Sequence, residues 1–196
     1  MRKIVVGEFV SLDGVVQAPG SPDEDREGGF EHGGWTMPYW HDDIGNTIFA
    51  SMKTSDAMLL GRKTYQGFAA AFASAPAGDP FTDHMNNTPK FVISSTLKKL
   101  DWVNSTLVNG NLAEEIGRLK QQPGRDISIS GSGTLVHALM QLDLIDEYNL
   151  LVYPLVLGKG KRLFPDGLNT TLKLVETKTF STGVVLLSYQ REVKTV

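Results

Sequence analysis

Apolar residues fall into short runs whose internal spacing alternates between strand and helix periods, with glycine- and proline-rich breaks between them. Ile4 to Leu12 is a near-continuous apolar run ended by Asp13-Gly14, which predicts a buried first strand. Residues 13 to 38 predict a long loop rich in glycine, proline and acids, with Phe30, Trp35 and Met37 set into it. From Asp42 to Thr54 the residues Ile44, Ile48, Phe49 and Met52 share a helical face, with Asp42 or Asp43 as N-cap. A short strand, Ala57 to Leu60, is closed by Gly61, and Lys63 to Phe72 reads as a helix that buries Tyr65, Phe68 and Phe72. Ala73 to Pro89 reads as a second loop, punctuated by Pro76, Gly78, Pro80 and Pro89. Strands follow at Phe91 to Ser94 and Thr106 to Val108. Asn111 then caps a helix from Leu112 to Gln121, with Glu114 at the capping-box position.

Next come a strand (Ile127 to Ser130), a helix (Thr134 to Leu142) and a strand from Glu147 to Leu157 interrupted by Pro154, which favours an edge or a bulge there. Leu172 to Phe180 and Val184 to Glu192 flank Ser181-Thr182-Gly183 as a hairpin. Strands alternating with helices and ending in a hairpin predict an α/β fold: a mixed, mostly parallel sheet with an antiparallel C-terminal edge, in one domain over residues 1–196.

Composition narrows the function classes. The chain has no cysteine, which removes disulfides, thiolate metal sites and cysteine nucleophiles. Its formal net charge of −3 lacks the basic balance of a nucleic-acid binder. No apolar run approaches the ~18 residues of a membrane span. The opening strand meets Glu8 and Asp13 and does not read as a signal peptide, so a cytoplasmic setting is expected. The histidines at 32, 41, 84 and 137 have no metal-ligand spacing, and none accompanies a nucleophile-elbow serine.

The candidate chemistry lies in four glycine turns that follow apolar strands: Asp13-Gly14, Gly61-Arg62-Lys63-Thr64, Gly131-Ser132-Gly133-Thr134 and Gly158-Lys159-Gly160. Any one alone reads as a steric turn. As a set they fit a sheet that binds its ligand beyond the carboxyl ends of its strands. Gly61 to Thr64 brings close backbone, two cations and a hydroxyl to a helix start, where cations oppose the helix dipole unless an anion binds there. The Arg62 fork suits an isolated monoester such as the 2′-phosphate of NADP. Ser94 and Ser95 offer hydroxyls for phosphate or ribose, or simply close a turn. Gly131 to Thr134 is not the Rossmann fingerprint, because Val136 stands where its third glycine would be. Asp13 at the strand end can hydrogen-bond a polar substrate or tune a proton transfer; it is also a normal Asp-Gly turn residue. Trp35, Tyr39 and Trp40 form an aromatic cluster on which a flat heterocycle could stack, or which pins the loop to the core.

With VSLDG, LLGRKTYQGF, KFVISSTL, ISGSGTLVHALMQLDLIDEYNLLVYPLVLGKGKRLF and the closing hairpin, nearly the whole chain resembles the dihydrofolate reductase-like family, in particular the branch with the reductase domain of riboflavin biosynthesis. The resemblance implies a three-layer fold, helices on both faces of the sheet, with NADPH across the strand ends. It implies that Arg62 and Thr64, with Gly61 and Lys63, meet the adenosine phosphates, with Ser94 and Ser95 nearby. Gly131, Ser132, Gly133, Thr134 and Leu135 would face the pyrophosphate and nicotinamide. Asp13, the loop through Trp35 and on to Trp40, Gly158 and Gly160 would border the substrate. Homodimers are common in the family. Dihydrofolate reductases proper carry an acid on the helix before the GR-T turn; the equivalent stretch here is Asp43 to Asn46, with Gly45 inside it.

The expected activity is NADPH-dependent hydride transfer to a small polar heterocycle or carbonyl compound, pterin- or ribosylaminopyrimidine-like, with Asp13, Asp43 or water giving the proton. The alternatives are a non-catalytic NADP(H)-binding sensor or scaffold, and a plain interaction protein whose glycine turns are only turns. The expected partner is a small molecule, with neither nucleic acid nor membrane.

Overall fold

A computed structural model of the chain describes residues 1–192; the last four positions of the domain expected over 1–196 lie outside the described residues. All eight strands form one sheet in the order β4-β3-β2-β5-β1-β6-β8-β7. They are β1 (Ile4–Ser11), β2 (Ser55–Gly61), β3 (Lys90–Ile93), β4 (Ser105–Val108), β5 (Asp126–Ile129), β6 (Glu147–Tyr153), β7 (Leu172–Thr179) and β8 (Val185–Arg191). The pairings from β4 through to β6 are parallel, and β6–β8 and β8–β7 are antiparallel, as the hairpin signal predicts. The α-helices of the described residues are α1 (Asp42–Met52), α2 (Arg62–Phe72), α3 (Pro80–Asn87), α4 (Leu112–Gln121) and α5 (Gly133–Gln141), and the long loop adds two 3-10 turns at Glu27–Gly29 and Met37–Tyr39.

The apolar periods decide the layers. On one face, Ile4, Val6 and Val10 of β1 and Ile127 and Ile129 of β5 pack with Ile116 and Leu119 of α4 and Leu135, Val136 and Leu139 of α5. On the other face, Leu151 and Tyr153 of β6 pack with Ile44 of α1 and with Val15, Phe30 and Trp35 of the long loop. Met58, Leu60 and Val92 pack there against Tyr65, Met85 and Trp102 under α2 and α3. Helices therefore cover both faces, as parallel strands buried on two sides require.

Three expectations are corrected. The stretch from Ala73 to Pro89 contains α3: Asp79 accepts a hydrogen bond from the Thr82 amide at 2.7 Å and Pro80 takes the first helical position, where its missing N–H costs nothing. The proline that looked like a breaker is a start signal. The N-cap of α1 is neither Asp42 nor Asp43 but His41, whose Nδ1 accepts from the Asp43 amide at 3.2 Å. β6 stops at Tyr153, before Pro154, and lies inside the sheet between β1 and β8, neither an edge nor a bulged strand. The expected cap of α4 is present, with Asn111 accepting from the Glu114 amide at 3.2 Å.

Candidate functional site

Two helices begin at the same place. α2 leaves β2 at Gly61 and α5 leaves β5 through Gly131-Ser132, and β2 and β5 are neighbours in the sheet. The Gly61 amide donates to Gly131 O at 3.3 Å. A side chain at Gly61 would collide with Ser132, and one at Gly131 would meet Thr64 Oγ1 at 2.9 Å. Two of the four predicted glycine turns thus form one cradle.

Helix starts leave backbone N–H groups without intrahelical partners, and side chains normally cap them. His41, Asp79 and Asn111 do so for α1, α3 and α4. α2 and α5 have no side-chain cap. Among the α-helices of the described residues, the two without a side-chain cap are the two that converge. Arg62 is exposed, and among the described residues its side chain bonds only Gln66, at 3.2 Å. Lys63 reaches out of the cradle to Glu27, at 2.7 Å.

Glu27 belongs to a strap. Lys161 binds Glu27 at 2.5 Å and Asp25 at 2.7 Å. Bonds from Lys161 and then Lys63 hold the Glu27 carboxyl down at about 2. Buried Gln17 donates to the carbonyls of Asp25 and Glu27 at 3.1 and 3.0 Å and accepts from the Lys161 amide at 3.1 Å. The strap borders an open hollow of about 280 Å³ lined by Gln17, Glu27, Phe30, Lys159, Gly160 and Lys161. Glu27 and Gln17 carry no motif. Only the folded loop reveals them.

Other predicted residues have mainly constructional contacts. Ser94 is buried, and its Oγ accepts from the amides of Thr96 and Leu97 at 3.2 and 3.0 Å, closing the turn after β3; Ser95 is exposed. Asp13 accepts from Ser11 Oγ at 2.7 Å, Leu157 N at 3.1 Å and Gly158 N at 2.8 Å. The Ser11 hydroxyl first, with the Leu157 and Gly158 amides, holds its carboxyl down at about 2 against a smaller opposing effect of burial. Asp13 ties the first strand to the fourth glycine turn, at Leu157 and Gly158, and stays ionised. Gly160 has φ 131°, and a side chain there would meet Val15 at 2.5 Å and Phe30 at 2.9 Å. Trp35 is buried, donates Nε1 to Gln17 O at 2.8 Å and meets Tyr153 edge-on at 5.3 Å, so it pins the loop. Trp40 is 55% exposed, and its ring lies over α1, 3.0 Å from where a side chain at Gly45 would begin. Asp43 is exposed, 3.7 Å from His41 Nδ1.

The sheet opens beside the cradle. β1 pairs with β5 only through Val6↔Ile129, whereas it continues along β6 to Ser11↔Tyr153. Gly7, Glu8 and Phe9 are half-buried in an otherwise buried strand. This is where neighbouring strands part, the place where α/β sheets take ligands. Glu8 pairs with Leu150 and, by alternation, points to the face of Val6 and Val10. Its Oε1 is buried without a hydrogen-bond partner among the described residues. Burial, reinforced by Glu24, pushes its carboxyl up to about 8. The sequence did hold a signal: an acid at an inward position of an apolar strand.

Comparisons with known proteins bear on the whole chain. The family model described as RibD C-terminal domain matches residues 2–186. The uncharacterized protein YyaP of Bacillus subtilis (strain 168) is 32% identical over 194 residues, covering 96% of this chain and 94% of YyaP. A putative riboflavin biosynthesis protein from Shewanella sp. PV-4 has a similar structure, with TM-score 0.74 at 22% identity over 97% of this chain and 99% of that one. Dihydrofolate reductase from Enterococcus faecalis, complexed with NADP(H) and RAB-propyl, gives TM-score 0.61 at 16% identity over 97% of each chain. The fold is dihydrofolate reductase-like, as the resemblance implies.

Proposed function

The chain belongs to the RibD C-terminal domain family, and from that membership and the paired helix starts we propose that it is an NADPH-dependent reductase of a small polar heterocycle or carbonyl compound. The observation that carries the reading is that α2 and α5 begin against each other and are the two of the five α-helices among the described residues that lack side-chain caps. Their free N–H groups and dipoles suit the pyrophosphate of a dinucleotide. The glycines at 61 and 131 fit because any side chain there would meet Ser132 or Thr64.

Each residue then has a task. Gly61, Lys63, Thr64 and Gly131 to Thr134 hold the pyrophosphate, and Ser95 flanks the adenosine. Arg62, exposed and bonded among the described residues only to Gln66, takes the 2′-phosphate. Leu135 and the parted edge of β1 border the nicotinamide. The exposed Trp40 ring gives a flat substrate a stacking surface. Asp13, Gly158 and Gly160 shape the substrate wall. Bound NADPH supplies the hydride, and the chain supplies placement, exclusion of water and a proton. The expected assembly is a homodimer, which light scattering in solution measures.

Titration of the protein with NADPH and NADH, followed by tryptophan fluorescence, tests the reading. NADPH should bind more tightly by ~1–3 kcal/mol, the worth of a charge-assisted contact to the 2′-phosphate, and Arg62→Ala should erase the difference. No response to either coenzyme at millimolar concentration contradicts the proposal.

A further inference from the structure

Hydride addition to a C=N or C=O bond calls for a proton on the heteroatom. The acids first considered for that task are poorly suited. Asp13 is ionised and holds Ser11 and two backbone amides with its two oxygens. Asp43 stands in solvent on the first turn of α1. The Tyr153 hydroxyl is wholly buried without a partner, on the face opposite Glu8, and burial pushes it up to about 12.

Glu8 differs from all three. It is the second residue past the last β1–β5 pair, level with the glycine bend that leads into α5. One of its oxygens is buried and bonded to nothing. A buried polar atom without a partner is costly, and an interior strand position offers no reason to keep one unless a ligand completes it. The elements packed on its face contribute apolar groups: Ile129 from β5, Leu150 from β6, and Leu135 and Val136 from α5. Glu24 of the long loop is the charged group that acts on it, and it favours the neutral carboxyl, as burial does. A carboxyl so placed keeps its proton at neutral pH and is poised to give it up.

We propose that Glu8 is a catalytic residue of the reductase reaction, holding at the split in the sheet the proton that accompanies hydride transfer. This rests on the reductase reading above. In the step, the hydride adds to the acceptor carbon, the π pair of the C=N or C=O bond moves to nitrogen or oxygen, and that atom takes the Glu8 proton. The carboxylate left behind regains a proton from solvent. The acceptor class is therefore a compound whose C=N or C=O heteroatom becomes basic as hydride arrives.

The test uses the two coenzymes as electrostatic probes and needs no substrate. The oxidised nicotinamide ring is cationic and the reduced ring is neutral. A cation within about 4–6 Å lowers a carboxyl pKa by about 1–3 pH units. The Glu8 carboxyl resonance, from protein ¹³C-labelled at glutamate and assigned with Glu8→Gln, is titrated in the NADP⁺ and NADPH complexes. The midpoint should be lower with NADP⁺. By linkage, the affinity for NADP⁺ relative to NADPH should rise roughly tenfold or more between pH 6 and 9 in the unmodified protein. That ratio stands whether or not the variant folds. Equal midpoints in the two complexes, or a midpoint near that of an ordinary glutamate, overturn the role of Glu8 while leaving the reductase reading intact. Absence of binding by both coenzymes removes that reading, and the Glu8 role with it.

Discussion

Asp13 has an architectural task. It joins the end of β1 to the turn at Leu157 and Gly158 through two backbone hydrogen bonds. Its carboxyl is depressed from 3.8 to about 2, so the stability it contributes is full above the unfolded value and is lost as pH falls from about 4 to 2. Asp13→Ala should cost about 1–2 kcal/mol at pH 7, the range for losing charged hydrogen bonds at a half-exposed site. The cost should vanish near pH 2, and urea unfolding across pH checks both. A cost that persists at pH 2 refutes the carboxylate's role. In the sequence, Asp13 was visible as a strand-ending acid, but whether it faced a ligand or a backbone turn depended on Leu157, far along the chain. Lys90 shows the same limit. It is buried and donates to the carbonyls of Asn86, Thr88 and Val103, over the Trp102 ring at 4.2 Å, so β3 opens on a lysine one residue before the strand expected from Phe91.

At the scale of elements, most helices and strands were legible because their apolar periods and caps are local. The Asn111 cap and the hairpin around Gly183 are examples. α3 was not, since Pro80 reads as a breaker until Asp79 is recognised as the cap before it. The strap was also illegible. Its parts come from residues 17, 25, 27, 63 and 161, and nothing in a linear pattern links them. The strap has a functional consequence if the cradle takes phosphates. Glu27 competes for Lys63, an expected pyrophosphate partner. Glu27→Gln should weaken that competition and tighten NADPH binding about 2- to 10-fold, most clearly at low salt, where surface charges are least screened. Calorimetry checks this. Unchanged or weaker binding means that Lys63 does not serve the coenzyme, or that the strap itself forms part of the site.

For the whole molecule, the decisive feature is strand order. β1, β2 and β5 come from distant parts of the chain yet are adjacent in the sheet, which sets two helix starts against each other and places the parted edge of β1 beside them. The family resemblance implied that both turns meet one coenzyme at the strand ends, but not this strand order; periodicity alone predicts the elements and not their neighbours. Coenzyme binding should therefore stabilise the entire fold, by about 2.7 kcal/mol at a concentration 100 times Kd, measured as a rise in Tm. The most direct test of the central claim follows the backbone amides of Arg62, Lys63, Gly133 and Thr134 by ¹H–¹⁵N NMR during NADPH titration. If the two helix starts form one coenzyme cradle, these first-turn amides of α2 and α5 shift together, with one binding curve, while those of the side-chain-capped α1, α3 and α4 stay nearly fixed. NADPH that binds while the α2 and α5 amides remain unmoved would contradict it.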